Sequence, residues 1–187
     1  EQETRNDFIN PFFEALDWDI YNKQDLSESY REVKHEDKIK IDNSTKAPDY
    51  SFNIDGNRQF FVDAKKPSIN IKDHVQPAFQ VRRYGWSAKR PSIVTDFEEF
   101  AIYACSIKPK ETDKPAVDRI NYLSYDKYLP EFDFIWDTFA KENVLNGRLK
   151  YNSTINTIFK RFSKKDYEIV KQNIKNVGLE EFEKEQV

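Results

Sequence analysis

Two short alternating segments flanking a turn constrain this chain more than any other feature. Tyr50, Phe52 and Ile54 alternate with Ser51 and Asn53, and Phe60 and Val62 alternate with Phe61 and Asp63. That is the period-two pattern of strands with two distinct faces. Between them, Asp55-Gly56-Asn57-Arg58 carries the turn signal of a β-hairpin. A three-residue loop at 56–58 would set Asp49 opposite Lys65 and diagonal to Asp63. Asp63 and Lys65, two residues apart, must share a face. Two carboxylates and one ammonium are therefore expected to converge at the end of the hairpin away from its tip.

Such a group has a chemical use. A pair of hard carboxylate oxygens suits Mg²⁺, which keeps several waters and takes further ligands from substrate phosphate. A metal held there lowers the pKa of a bound water and stabilises charge on the phosphate in transit. A lysine beside it can orient or deprotonate that water, or pair with the phosphate. An acid, a hairpin-length gap and then acid-x-lysine is thus the spacing of a metal-dependent phosphodiesterase site. The same spacing also fits a surface hairpin with an incidental ion pair.

Pro77-Ala78-Phe79-Gln80-Val81-Arg82-Arg83-Tyr84 reads as helix, with Pro77 acceptable in a first turn and Gln80 and Tyr84 on one face. With this helix the chain resembles the PD-(D/E)xK nuclease superfamily, in the branch that adds Gln-x-x-x-Tyr after the catalytic hairpin. Further blocks resemble the amino-terminal endonuclease domain of type IIG restriction–modification enzymes. They are Glu1-Gln2-Glu3-Thr4-Arg5 with Phe8 to Trp18, Arg31-Glu32-Val33, Lys46 to Phe52, Phe60 to Ser68, Tyr84 to Ala88 and Ile93 to Phe100. The resemblance runs in order from residue 1 to about 150. Two departures are small: Asp63 stands where the family often has Glu, and Asp17 where a glycine often precedes the tryptophan.

The resemblance implies an α/β fold, an α/β/α sandwich around a mixed sheet, and a Mg²⁺-dependent DNA endonuclease in which Mn²⁺ substitutes. Asp49 and Asp63 would hold the metal with the Ala64 carbonyl, Lys65 would position the attacking water, and Gln80 would bond near the metal or the scissile strand. Tyr84 would reach the same face or serve packing. Glu32 would either extend the acidic cluster or form a surface ion pair. The implied substrate is double-stranded DNA, and the implied companions are covalently linked methyltransferase and target-recognition domains that this chain does not include. Two other readings stand beside it: the nuclease module of a type I-like DNA translocase, and a catalytically silent DNA-docking or assembly domain.

The net charge of −3 is unusual for a DNA enzyme, because phosphate contacts dominate non-specific affinity. Two acid-free basic runs offset it: Arg82, Arg83, Lys89 and Arg90, and Arg148, Lys150, Lys160, Arg161, Lys164 and Lys165. Either run fits a DNA contact or a solvated face. Trp86 beside the first run is expected to be a core aromatic rather than a DNA contact. Few glycines and no phosphate-cradling motif argue against P-loop and Rossmann chemistry. His35 and His74 are too isolated for a zinc cluster. Cys105, the single cysteine, lies in an apolar run and is expected to be a buried strand residue in a reducing cytoplasm. No apolar run approaches the roughly 20 residues of a membrane span. The chain lacks methionine, and is read as a processed or trimmed product.

The expected order is helix at about 3–16, strand near 28–36 with Tyr30 and Val33, hairpin at 48–66, helix at about 75–88, and strands at 91–95 and 98–105. A polar loop at 108–120 precedes a mostly helical remainder, in which Ile135, Trp136 and Phe139 share one face and Ile155, Ile158, Phe159 and Phe162 another. The expected division is a nuclease core at 1–110 and a mostly helical extension at 111–187.

Overall fold

Strands that are apolar on both faces need cover on both sides of their sheet, and the chain supplies it. The computed structural model describes residues 1–41 and 44–147. Two helical turns open the chain, α1 (Gln2–Thr4) and α2 (Asn10–Ala15), joined by a π-helical segment, Arg5–Ile9. There follow β1 (Val33–His35), β2 (Ile39–Ile41), β3 (Ser44–Lys46), β4 (Tyr50–Ile54), β5 (Asn57–Ala64) and α3 (Val75–Ala88). Next come β6 (Ser92–Thr95), β7 (Glu99–Tyr103), β8 (Arg119–Ser124), α4 (Phe132–Phe139) and α5 (Lys141–Leu145). Six strands form one sheet in the order β1-β4-β5-β6-β7-β8, while β2 and β3 pair as a separate ribbon. β5 and β6 run parallel, linked through α3, and the other neighbours are antiparallel.

Strand alternation sorts the side chains onto two faces. Phe60, Val62 and Ala64 of β5, with Ile93, Phe100 and Ile102, lie in one buried cluster with Ile9, Phe13 and Leu16 from the first helical segments and Ile135 and Phe139 from α4. On the opposite face Val94, Ala101 and Tyr103 meet Ala78 and Val81 of α3. Phe61 joins Tyr84 of α3 and Ile39 and Ile41 of the ribbon. The result is a mixed α/β sheet with helices on both faces.

The hairpin turn is tighter than expected. Ile54 pairs with Asn57 across Asp55 and Gly56, both in the left-handed region at φ 49° and 76°, the backbone a two-residue hairpin turn demands. The register then shifts between Phe52 and Asn53, so that Tyr50 faces Val62. Continued by one pair, this register puts Asp49 opposite Asp63 rather than Lys65. A shift of two residues preserves the face of every side chain, so the expected convergence survives the correction.

The strand expected at 28–36 is confined to Val33–His35, and Tyr30 is 60% exposed. Trp86, expected in the core, is 41% exposed. Cys105 is buried, but it lies beyond the end of β7 at φ 57°. The segment 119–124, expected at the boundary of a loop and a helical remainder, is β8. Its polarity alternates only from Arg119 to Tyr122 before Leu123 breaks the pattern, and pairing with β7 defines it. Leu123 of β8 lies in the same buried cluster as Phe52 and Phe60, with Ile135 and Phe139; Trp136 is partly buried against it. The face formed by Ile155, Ile158, Phe159 and Phe162, and the basic run from Arg148 to Lys165, lie outside the described residues. Among the described residues no helix is long and apolar enough to cross a membrane.

Candidate active site

The expected carboxylates meet at the edge between β4 and β5. Asp49 immediately precedes β4, and its Oδ2 accepts the Ala64 N–H at 2.6 Å. Its Oδ1 lies 3.3 Å from Arg5 Nη1. Both oxygens are therefore held, which fixes the plane of the carboxylate. Asp63 sits on the α3 face of β5, is 3% exposed, and forms an ion pair with Lys65 Nζ. Burial pushes the Asp63 carboxyl up to about 6, opposed by the Lys65 ammonium and reinforced by the charges of Asp49 and Glu1. The N–H and C=O of a strand residue leave by the same edge, so the Ala64 carbonyl also faces the Asp49 side.

The α3 helix closes over this face. Gln80 Nε2 donates to the Tyr84 hydroxyl at 2.8 Å, and that hydroxyl donates to the Ala47 carbonyl at 3.4 Å, two residues before Asp49. Burial raises the Tyr84 hydroxyl to about 12, helped by the negative charges of Asp63 and Asp49. Tyr84 is thus a neutral hydrogen-bonding group beside the carboxylates. Asp63, Lys65, Gln80 and Tyr84 lie on the α3 side of the sheet, and Asp49 stands at its edge, held by Ala64 and Arg5.

Other expected site residues are elsewhere. Glu32 does not join the acidic pair. Its carboxylate accepts the Asp19 N–H at 3.0 Å and pairs with Lys141 Nζ at 2.6 Å. The backbone carbonyl of Glu32 pairs with Asn53, at the opposite end of β4 from Asp49. Arg82, expected on a DNA-facing surface, has a side chain only 1% exposed and bonded to Asp113 at 2.9 Å. The helical period explains it: Arg82 stands four residues after Ala78 and three before Gly85, within the buried stripe of α3. Arg83 lies over the Phe79 ring at 5.4 Å. Lys89, at the left-handed end of α3, is exposed, and Arg90 is half-buried.

Arg5 was not among the expected site residues. Its Nε donates to the Tyr50 hydroxyl at 3.2 Å, and its Nη2 approaches His35 Nδ1 at 3.4 Å. The Tyr50 hydroxyl in turn donates to Asn10 Oδ1 at 2.7 Å. His35 Nε2 lies 3.3 Å from the Ile20 carbonyl, so the ring donates there and accepts from Arg5 in its neutral form. Burial, first, and the nearby Arg5 charge hold its pKa below the usual histidine value. The available sequence signal was a charged residue in register with an apolar stripe: Arg5 stands four residues before Ile9, in line with Phe13 and Leu16.

Among the described residues no group of three or more His, Cys, Asp or Glu side chains is gathered for a metal. Mg²⁺ does not require one, because it is commonly held by one or two carboxylates and completed by water and substrate oxygens. Two adjacent carboxylates, one of them buried, with a backbone carbonyl on the same edge, form an all-oxygen donor set that fits such an ion.

The chain is similar to the type II restriction enzyme and methyltransferase RM.Eco57I of Escherichia coli. Identity is 39% over 170 residues, 89% of this chain but only 17% of that protein. The chain therefore spans less than a fifth of the length of this curated relative. No protein-family model matches the chain. No solved structure matches it either.

Proposed function

We propose that this chain is a Mg²⁺-dependent DNA endonuclease domain of the PD-(D/E)xK type, acting within a restriction–modification enzyme of the IIG kind. The observation that carries the reading is the gathering of Asp49, Asp63 and Lys65 at one end of β5, beside the Gln80–Tyr84 hydrogen bond of α3. The similarity to a fused restriction enzyme and methyltransferase favours this over a translocase-linked nuclease. It also supports methyltransferase and recognition functions supplied by further sequence. A mixed six-stranded sheet with helices on both faces is compatible with the restriction-endonuclease-like sandwich. The core runs past the expected boundary at 110, because β8 extends the sheet and α4 packs into the same buried cluster. A cytoplasmic setting, in which Cys105 stays a free buried thiol, belongs to the same proposal.

On this reading Asp49 and Asp63 hold Mg²⁺ (or Mn²⁺ in its place) with the Ala64 carbonyl. The bound ion supplies a water of lowered pKa and neutralises charge on the phosphate. Arg5 and the Ala64 N–H fix the orientation of Asp49 before substrate arrives. The Lys65 ammonium carries only donors, and so aligns the attacking water or a phosphate oxygen. Gln80 both donates and accepts, so it can hold a water or a phosphate oxygen over the same face, with Tyr84 anchoring it.

The test uses the longer enzyme that contains this chain. Lys65→Ala and Asp49→Asn are expected to abolish Mg²⁺-dependent cleavage of plasmid DNA while methyl transfer to the same DNA continues. Cleavage that survives Lys65→Ala would overturn the assignment.

A further inference from the structure

We propose that the β2–β3 ribbon is a grip for the phosphate backbone of duplex DNA, acting through Lys46 beside the carboxylate pair and through Lys40 with Lys89 of α3 farther along. The proposal deepens the nuclease reading and takes the identity of the polyanion from it.

The ribbon stands apart from the six-stranded sheet. It is seated by Ile39 and Ile41, which are buried with Phe61 and Tyr84. Two hydrogen bonds lay it along α3. At one end the Tyr84 hydroxyl donates to the Ala47 carbonyl, and one turn later Ser87 Oγ donates to the Lys40 carbonyl at 2.9 Å. Lys46 ends β3, and only Ala47 and Pro48 separate it from Asp49. Lys46 pairs with Ile39 across the ribbon, so it shares the face that looks toward Tyr84. Lys40 pairs with Thr45 on the outer face, beside the end of α3 that carries Lys89.

Lys40, Lys46 and Lys89 are all exposed, and none forms an ion pair among the described residues. The neighbouring acid Asp37 is already neutralised by Arg58 at 2.7 Å and 3.0 Å. Three ammonium groups on one ribbon and the adjoining helix end, unpaired among the described residues, have little structural use. Its chemical complement is a polymer with regularly spaced negative charge. Trp86, 41% exposed and next to Ser87, adds a flat apolar surface that a deoxyribose can cover.

The measurement is anisotropy of the full chain on a labelled random-sequence duplex, in chelator, across a salt series. Each of Lys40→Gln, Lys46→Gln and Lys89→Gln is expected to lower the slope of log K against log salt by about one unit, and to weaken binding on the order of tenfold at low salt. Lys46→Arg keeps the slope. Lys110→Gln, on the exposed loop after β7, changes net charge equally and leaves the slope alone. Slopes unchanged in all three variants, an equal loss in Lys110→Gln, or no duplex binding by the unsubstituted chain would each overturn the proposal. The nuclease reading fails separately: cleavage that persists in Asp49→Asn sinks it and leaves the binding slopes as they are.

Discussion

Asp63 is the residue on which the environment acts most strongly. Its folded pKa of about 6 lies above the ordinary carboxylate value of 3.8, so the group favours the folded protein where it is protonated. That contribution fades as pH rises through about 6. In chelator, the melting temperature of Asp63→Asn relative to wild type is therefore expected to rise between pH 5 and pH 8; a constant difference would mean the carboxylate is not desolvated. Metal binding has the opposite dependence, since the ion must displace the proton, and Mn²⁺ affinity measured by calorimetry should fall below about pH 6. Tyr50 supplies a second check at this scale. Its hydroxyl accepts from Arg5 and donates to buried Asn10, so Tyr50→Phe leaves two polar groups short of a partner and should cost about 1–3 kcal/mol in denaturant unfolding.

At the scale of the element, α3 does two jobs with neighbouring stripes of its sheet-facing side. Gln80 and buried Tyr84 stand beside the carboxylates, while Ala78, Val81, Arg82 and Gly85 fill the adjoining core. Gly85 is small for a reason: a Cβ there would stand 2.2 Å from Cys105 Sγ and 2.3 Å from the Arg90 carbonyl oxygen. Alanine gains about 1 kcal/mol of helix propensity over glycine, yet Gly85→Ala should be destabilising by about 1–3 kcal/mol because the core is overpacked. Adding Cys105→Ala should restore only part of the loss, since the backbone oxygen of Arg90 remains. Full recovery in a urea titration would show that only the sulfur stands in the way. Gln80→Ala, by contrast, should reduce cleavage by the intact enzyme more than it reduces DNA binding. Full cleavage activity in that variant would make the Gln80–Tyr84 pair mere scaffold.

At the scale of the whole molecule, Arg82 ties α3 to the loop after β7 through Asp113. Asp113→Ala would leave a buried guanidinium uncompensated and should lower the melting temperature more than Glu111→Ala in the same loop; equal effects would make the pair incidental. The net charge of −3 sets the chain's behaviour toward DNA. With few cations facing one duplex, the isolated chain should bind with Kd of roughly 10⁻⁴–10⁻⁶ M, without sequence preference and with steep salt dependence. A nanomolar, sequence-selective complex in a gel-shift assay would place recognition elements inside these residues.

The sequence by itself determined what depends on local period. The alternation around Asp55-Gly56 fixed the shared face of Asp63 and Lys65, and the spacing of Gln80 and Tyr84 marked α3, whose observed limits are Val75–Ala88. The apolar run at 100–105 announced a buried Cys105. Tertiary structure decided whatever joins distant segments. The hairpin register depends on a bulge that spacing does not reveal. Arg5 reaches Asp49 across 44 residues, and Lys141 draws Glu32 away from the acidic pair. The β2–β3 ribbon and β8 are strands because partners pair with them. Arg82 lies between the two kinds: the helical period already placed it on the buried stripe, but only Asp113 makes a charge tolerable there. Period is written into neighbouring residues, whereas pairing between segments depends on how the whole core closes.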